Sequence, residues 1–300
     1  MSAVPASRPL VSVVIPAYRA AATLPRALQS VIAQTYGDWE AIVIDDAGCD
    51  VTPGIVVGLG DPRIRLLRRA ARGGPARARN DGIAAARGEL IAFLDADDEW
   101  LPEKLARQVA AMVADEAVSL VVCDMRAVHP DGAEGTSIFT RQAPAQGAQA
   151  WKELLASSFI GTSSVLTRRA VLAATGGFDP DLAVGEDQDL FIRLALRGTV
   201  VALHDPLAIY HYSATSYSQA FAAEQAGHVL RMVRAHLAAQ APRLTPAERR
   251  RILARRYGRL GRNLVAAGAR GRGAAMILGA AFLGHASSEN LRALARSVLV

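Results

Sequence analysis

The chain has 300 residues, of which 51% are hydrophobic, so it can bury one full-sized α/β core and a smaller appended element. Its two cysteines, Cys49 and Cys123, lie far apart and belong to no Cys-x-x-Cys or Cys/His cluster, which excludes a disulfide framework or a zinc site and fits a reducing cytoplasm. The net charge of +6 suits a phosphate-bearing substrate or an anionic membrane surface better than nucleic acid, because no nucleic-acid-binding motif accompanies it.

The sequence offers no membrane-spanning segment. Residues Met1 to Pro9 lack the apolar core of a signal peptide, and the most apolar late stretch, Ala274 to Leu283, has about half of the ~20 residues needed to cross a bilayer. We therefore expect a cytoplasmic protein that could also sit peripherally on the inner face of the cell membrane.

From residue 11 the chain alternates β-rich runs with helical ones, which predicts an α/β fold with a mostly parallel sheet flanked by helices. The runs lack polar alternation, as expected of strands buried on both faces. The predicted strands are Val11 to Ile15, Glu40 to Ile44, Ile64 to Leu67, Leu90 to Leu94 and Val118 to Cys123. The predicted helices between them are Thr23 to Gln34, Pro75 to Arg87 and Pro102 to Ala114, two of which have proline in the first turn.

The second half is less regular. We predict a loop, suited to a mobile lid, from His129 to Gln149. The later predicted elements are a strand over Ser163 to Leu166, helices over Arg168 to Ala174 and Asp187 to Arg197, and strands over Val200 to Leu203 and Ala208 to Tyr212. The predicted organisation is a disordered N-terminus (1–9), a catalytic domain (10–215) and a C-terminal helical region (216–300).

Three carboxylates follow directly on a predicted strand in the stretch Asp95-Ala96-Asp97-Asp98. Ligands of parallel α/β sheets bind beyond the carboxyl ends of the strands, so these acids are expected at the edge of a site. Oxygen ligands at this density favour Mg²⁺ or Mn²⁺, which shares its coordination between one or two carboxylates, water and substrate phosphates. The alternative is that Asp97 and Asp98 merely cap the helix entering at Pro102.

Two further acidic clusters strengthen the site prediction. Asp45 and Asp46 end a neighbouring strand, and Asp46 is the candidate to accept a hydrogen bond from a base N–H or a ribose hydroxyl. Glu186, Asp187 and Asp189 open a predicted helix, where acids are also favoured by the helix dipole alone.

Over roughly residues 9–215, the sequence resembles the family 2 glycosyltransferases of the inverting type with the GT-A fold. The resemblance rests on six signatures in family order, which together are far more specific than any one: Val11 to Tyr18; Gln34-Thr35-Tyr36; Asp45-Asp46; Gly73-Gly74-Pro75 with Ala78-Arg79-Asn80; Asp95 to Asp98; and Gly185-Glu186-Asp187.

The resemblance implies a nucleotide-sugar donor and an acceptor hydroxyl, and it leaves open whether the donor is a UDP-, GDP- or dTDP-sugar. The expected acceptor is a glycan, and a lipid-linked glycan if the chain lies on a membrane surface. It implies that Asp187 is the catalytic base, and that Asp95 and Asp97 hold the ribose and the metal-diphosphate. It further implies donor-binding roles for Pro16, Tyr18, Asp46, Arg79, Asn80 and Ala96. Transfer would invert the configuration at the anomeric carbon.

One segment departs from the family pattern. Members often carry a Tyr-Arg-x-His type segment near the end of the catalytic domain, where this chain has Ile209-Tyr210-His211-Tyr212-Ser213. His211 is therefore either a contact of the metal or diphosphate or a partly buried strand histidine. A Gln-x-x-Arg-Trp segment, usual in polymer-making members, is missing, which favours the addition of a single sugar.

The C-terminal region is rich in arginine, with seven of them between Arg249 and Arg262. This pattern is typical of an amphipathic helix on an anionic bilayer, or of a helix with a solvated face that packs on the catalytic domain or on a second copy. Two rival functions remain open. One is a non-catalytic nucleotide-sugar-binding or scaffold protein. The other, a nucleotidyltransferase, would need a Gly-rich, lysine-bearing loop that Pro16-Ala17-Tyr18-Arg19 does not provide.

Overall fold

The computed structural model describes residues 8–182, 184–212 and 222–298. An eight-stranded sheet has the order β3-β2-β1-β4-β7-β6-β8-β5. Its strands are β1 (Val11–Ala17), β2 (Trp39–Asp45), β3 (Ile64–Arg68), β4 (Leu90–Phe93), β5 (Glu99–Trp100), β6 (Val118–Val128), β7 (Leu166–Arg168) and β8 (Thr199–His211). Strands β1 to β4 pair in parallel, as do β6 and β8, whereas β7 and β5 pair antiparallel with their neighbours.

Helices cover both faces of the sheet and continue into a C-terminal helical layer. They are α1 (Leu24–Ile32), α2 (Thr52–Leu59), α3 (Gly74–Ala85), α4 (Lys104–Val113), α5 (Ile138–Arg141), α6 (Ala150–Ala156), α7 (Arg169–Thr175), α8 (Glu186–Ala195), α9 (Ala222–Ala239), α10 (Pro246–Ala266), α11 (Arg270–Phe282) and α12 (Ser288–Val298). The predicted architecture is therefore confirmed.

Side chains of each central strand alternate between two apolar cores because successive Cβ atoms of a strand point to opposite faces. On β1, Val14 packs in one core while Val13 and Ile15 pack in the other. A Cβ atom at Gly82 of α3 would lie 2.5 Å from a Val14 methyl group. This helix therefore lies close on the sheet, with Arg79, one turn earlier, near the strand ends.

Several predicted elements are corrected. The strand expected over Ser163 to Leu166 is a 3-10 turn (Thr162–Ser164) that leads into β7. The two strands expected after residue 199 are one strand, β8. The segment expected as a loop, His129 to Gln149, contains α5. Helices α2 and α6 were not predicted from the sequence: both are short, with eight and seven residues, and α2 also lacks a clear apolar period.

Residues 1–7 of the predicted disordered N-terminus lie outside the described residues, as does the predicted domain boundary at 215 and 216. The Arg-rich helix α10 begins with a capping box formed by Thr245 and Glu248, with Pro246 in the first turn. No helix in the described ranges is long and apolar enough to cross a membrane. Neither cysteine forms a disulfide: Cys49 is exposed and Cys123 is buried.

Candidate active site

A buried arginine joins two of the acidic segments. Arg79 of α3 is 5% exposed, and its guanidinium donates to Asp95 Oδ1 at 2.7 Å and to Glu186 Oε1 at 3.2 Å. Asp95 follows β4 and Glu186 opens α8, so segments separated by about a hundred residues meet at one side chain. Burial opposes its charge, but the negative charges of Asp95 and Glu186 outweigh this and raise the pKa of Arg79, so it stays cationic.

Glu186 and Asp187, the first two residues of α8, hold their protons more tightly than usual. Burial, and then the charge of Asp187, raise the pKa of Glu186 to about 7. Burial also raises the pKa of Asp187, although the N–H of Gln188, which donates to Asp187 Oδ1 at 2.6 Å, acts in the opposite direction. The raised pKa values of these two adjacent acids are typical of a functional site.

The Asp-x-Asp stretch has the chemistry that a divalent cation needs. Burial, followed by the charge of Asp95, raises the pKa of Asp97, so a cation between the two carboxylates would relieve an existing repulsion. Within the described ranges, no cluster of three or more His, Cys, Asp or Glu side chains could hold a metal by protein ligands alone. A pair of carboxylates completed by water and substrate phosphates fits this arrangement.

Two of the predicted metal-binding residues, Asp97 and His211, line the same cavity of about 380 Å³. Arg26 and Tyr212 also line this cavity. His211 Nε2 lies 3.4 Å from Glu99 Oε2, while burial and the charge of Arg26 lower the pKa of the imidazole. His211 is therefore a half-buried strand residue that lines the same cavity as Asp97, and its contact with a metal or a diphosphate stays a prediction.

Backbone in strained conformations lies beyond the ends of β1 and β2, next to residues that are predicted to bind the donor. Among the residues that the structure describes, three other than glycine have positive φ angles, namely Arg19 (51°), Ala47 (57°) and Cys49 (54°). Such conformations persist where the surrounding structure enforces them, and they concentrate at ligand sites. Next to them Tyr18 is 36% exposed and the Arg72 guanidinium lies 4.1 Å from its ring centroid, while Pro16 is half-buried. An accessible ring at this edge is suited to stacking against a base.

Asp46 is more heavily bonded than its predicted role requires. It is 3% exposed and accepts from the N–H groups of Gly73 and Gly74, both at 2.8 Å, and Arg69 Nε lies 2.9 Å from Oδ1. A carboxylate has about four lone-pair sites, so roughly one remains for a ligand. Asp46 ties the end of β2 to the start of α3, and its reading of the base stays a prediction.

Two other residues near the site have structural partners. The side-chain amide of Asn80 pairs with both backbone groups of Phe178, at 2.8 and 2.9 Å, and so fixes the turn before α8. Asp98 accepts from Ser163 Oγ at 2.5 Å and does not cap α4, whose N-cap is Glu103. The capping alternative for Asp97 and Asp98 is therefore wrong, and a direct donor contact by Asn80 stays a prediction. Ala96, between the two aspartates, is 8% exposed.

The sequence analysis named Glu186 only as a member of the acidic cluster that opens α8 and predicted no role for it in the site. Its adjacency to Asp187 was visible in the sequence, but nothing there indicates its ion pair with Arg79, 107 positions away. The arrangement as a whole can pair a cation with a diphosphate at Asp95 and Asp97, and can accept a proton at Asp187.

The sequence model of Glycosyl transferase family 2 matches residues 12–174, which is more than half of the chain. The chain belongs to this family. The predicted family is thereby confirmed, and the match includes the segments that carry Tyr18, Asp46, Arg79 and Asp97.

Curated relatives of this family 2 chain include proteins of surface-polysaccharide synthesis. It is 33% identical over 237 residues to an uncharacterized glycosyltransferase of Nostoc sp. (strain PCC 7120), covering 72% of this chain and 71% of the relative. It is 40% identical over 126 residues to the succinoglycan biosynthesis protein ExoO of Rhizobium meliloti, and the match spans 40% of this chain and only 36% of ExoO. A 104-residue match with 42% identity to the Escherichia coli UDP-Glc:alpha-D-GlcNAc-diphosphoundecaprenol beta-1,3-glucosyltransferase WfgD spans 35% of this chain and 41% of WfgD.

Solved structures share the fold of this family 2 chain. Staphylococcus aureus TarS 1–349 in complex with UDP superposes with a TM-score of 0.65 at 21% identity, covering 95% of this chain and 88% of that one. The mannosyltransferase PcManGT from Pyrobaculum calidifontis, in complex with GDP-Man and Mn²⁺, has a TM-score of 0.64 at 24% identity, covering 97% and 80%. The predicted GT-A architecture with a C-terminal helical region is confirmed by this likeness.

We expect Arg79→Met to destabilise the family 2 fold by about 3–5 kcal/mol, because it leaves Asp95 and Glu186 without their buried partner. The loss should be smaller at pH 5 than at pH 8, because burial raises the pKa of Glu186 to about 7, so that Glu186 is protonated at pH 5 and needs no counter-charge there. Urea unfolding at both pH values measures it. Arg77→Met, on the same helix but half-exposed, is the control and should change stability by less than about 1 kcal/mol. Equal effects of the two substitutions would refute the role assigned to Arg79.

Proposed function

We propose that this chain is a metal-dependent, inverting glycosyltransferase that moves a single sugar from a nucleotide-diphosphate sugar to an acceptor hydroxyl. The observation that carries the proposal is the double ion pair of Arg79, which joins the Asp-x-Asp stretch to the acids at the start of α8. A cation-diphosphate site and a proton acceptor are the two functions that such a transfer requires, and these two segments supply them.

Asp187 is the base of the proposed reaction. Its carboxylate takes the proton of the acceptor hydroxyl from within about 2.6–3.2 Å. The hydroxyl oxygen forms a bond to the anomeric carbon as the bond from that carbon to the diphosphate oxygen breaks. Because attack and departure occur on opposite faces, the configuration inverts. The leaving group is the nucleoside diphosphate, and the proton ends on Asp187.

Asp97 and Asp95 would hold the divalent cation, Mg²⁺ or Mn²⁺, with His211 as a further candidate from the same cavity wall. When bound, the cation neutralises charge on the departing diphosphate. Arg79 aligns Asp95 through its charge-assisted hydrogen bond of 2.7 Å. Tyr18, Pro16 and Asp46 would form the nucleoside side of the pocket.

The matched relatives favour a role in cell-surface glycan or polysaccharide biosynthesis. Two of them are named for succinoglycan biosynthesis and for glucosyl transfer to a diphosphoundecaprenol-linked sugar. We accordingly propose a glycan or lipid-linked acceptor. We also propose that residues 10–215 form the catalytic domain and residues 216–300 a helical region attached to it.

A thermal-shift screen tests the donor site and separates the proposal from a nucleotidyltransferase. UDP-, GDP- and dTDP-sugars, and the nucleoside triphosphates for comparison, are each measured with Mn²⁺ and with EDTA, because a ligand that binds only the folded state raises its melting temperature. We expect one nucleotide class to stabilise the chain in a metal-dependent way, which names the base. A response to nucleoside triphosphates alone, or none from well-folded samples, would contradict the proposal.

We further propose peripheral contact with an anionic membrane through the C-terminal helices. Residues 246–298 contain eleven arginines and only two glutamates. On α11, Leu278 and Phe282 lie one turn apart and are 56% and 86% exposed. A basic segment that presents apolar side chains to solvent is suited to the surface of an anionic bilayer.

The expected result for membrane contact is sedimentation with phosphatidylglycerol-containing vesicles but not with purely phosphatidylcholine vesicles. Phe282→Asp and Leu278→Asp should each weaken this binding several-fold, since they remove apolar contacts and add negative charge. Val57→Asp, at an exposed apolar position of α2, is the control. Vesicle binding that is unchanged by both α11 substitutions would rule out this face.

A further inference from the structure

An arginine of the C-terminal helical region is buried against the segment that carries the proposed base. Arg256 of α10 is 2% exposed. Its guanidinium donates to Leu154 O at 2.8 Å, to Leu155 O at 2.8 and 2.6 Å, and to Gln188 Oε1 at 3.4 Å. Gln188 is the residue directly after Asp187, so α10 reaches the start of α8 through a single side chain.

The bonding continues from Gln188 to the base itself. Gln188 Nε2 donates to Leu154 O at 2.9 Å, which ties the start of α8 to the last turn of α6. The backbone N–H of Gln188 donates to Asp187 Oδ1 at 2.6 Å. The guanidinium therefore holds α6 and the Gln188 side chain together, and Gln188 orients the carboxylate before it.

Arg256 is an unusual residue for mere packing. Among the described residues its partners are carbonyl and amide oxygens, with no carboxylate within ion-pair distance. Burial lowers the pKa of Arg256 to about 9, with the charges of Arg259 and Arg255 acting in the same direction, so it is still cationic at neutral pH. The carbonyls at the end of α6 carry the negative end of a helix dipole, which favours a cation there.

A second contact from the C-terminal helices holds Asp189, the residue after Gln188 in α8. His236 Nε2 of α9 lies 2.7 Å from Asp189 Oδ1, and Arg193 holds the other oxygen of Asp189 at 2.6–2.8 Å. The two residues after Asp187 are thus both anchored from the C-terminal helices. Apolar residues of similar volume would attach these helices at least as firmly, because a buried charge is expensive to desolvate.

We propose that Arg256 is a positioning residue that aims Asp187 through Gln188, so that the C-terminal helical region is part of the catalytic apparatus. This proposal rests on the proposed function of Asp187. It assigns a role to the helical region that does not depend on contact with a membrane. An equivalent role follows for Gln188, whose loss breaks the same connection while leaving Arg256 in place on α6.

The test compares Arg256→Met, Arg256→Lys and Gln188→Met with Arg87→Met, an exposed arginine outside the C-terminal helices and the proposed site. Donor affinity, kcat, KM for the acceptor and melting temperature are measured for each, with amide hydrogen exchange at residues 185–190. We expect Arg256→Met and Gln188→Met to lower kcat at least tenfold and to speed exchange at the start of α8. Donor affinity should stay within about twofold of the wild type, and Arg256→Lys should recover part of the loss, because an ammonium group can still bond the α6 carbonyls.

Unchanged kcat and unchanged exchange in folded Arg256→Met or Gln188→Met protein would overturn the positioning role. A fall in melting temperature with normal kcat would likewise reduce Arg256 to a structural residue. If Arg256→Met does not fold, Gln188→Met decides, since it leaves the bonds from Arg256 to the α6 carbonyls in place. If the wild-type protein transfers no sugar from any donor, the proposed function fails, whereas the exchange at residues 185–190 still decides the positioning.

Discussion

Asp187→Asn should bind the donor normally and lose on the order of 10²–10⁴-fold in kcat, because it removes the proton acceptor and keeps the shape of the side chain. The free protein should be no less stable than the wild type at pH 8. Burial raises the pKa of Asp187, so its ionised form is disfavoured in the folded state, and a neutral amide relieves this. Asparagine Oδ1 can still accept from the N–H of Gln188.

Initial rates of sugar transfer, with donor affinity measured separately, check this expectation. The matched control is Asp181→Asn, six positions earlier in the chain, whose side chain is 89% exposed. It should leave kcat within about twofold of the wild type. A folded Asp187→Asn protein with near-normal turnover would show that another group takes the proton, with Glu186 the first candidate.

Asp97→Asn should abolish the metal-dependent part of donor binding and lower kcat by about 10²–10³-fold, since a metal at a phosphate contributes several kcal/mol. The unliganded protein should be as stable as the wild type or slightly more so. The reason is that burial and the charge of Asp95 raise the pKa of Asp97, so removal of its charge relieves repulsion. This combination separates a ligand-binding carboxylate from a structural one.

Melting temperatures with donor, in Mn²⁺ and in EDTA, measure the effect. For Asp97→Asn the two conditions should give the same value. Asp205→Asn, which removes an exposed partner of Arg107, serves as the control and should retain the metal-dependent increase. The assignment of Asp97 would be wrong if its variant kept the full increase.

The parallel half of the fold was predictable because strands buried on both faces lack polar alternation and lie between amphipathic helices. Acidic residues follow the ends of two of those strands, at Asp45-Asp46 and at Asp95 to Asp98, and this indicated where a site would form. What periodicity does not encode is contact between distant segments. The bond from Asn80 to Phe178, and the burial of Asp46 under Gly73 and Gly74, depend on packing of loops against α3.

The Arg-rich helix α10 is a second case in which the sequence pattern does not determine what a segment contacts. Its charge pattern left open a basic face on a membrane or packing on the catalytic domain. Arg255 pairs with Glu153, Arg256 bonds the carbonyls of α6, and Arg259 bonds Gln142 and Ser157, so these three face the domain. Sequence composition cannot separate a guanidinium that caps a buried helix end from one in solvent, because both have the same local pattern.

Release of nucleoside diphosphate tests the central claim most directly. Wild-type protein is incubated with each of the UDP-, GDP- and dTDP-sugars and Mn²⁺, with and without a membrane extract as the source of lipid-linked acceptors. The account predicts release from one donor class that requires both the metal and the extract, and that Asp187→Asn lacks. Binding of a donor with no release above that of Asp187→Asn under any condition would contradict it, and would establish the chain as a non-catalytic nucleotide-sugar-binding protein with this fold.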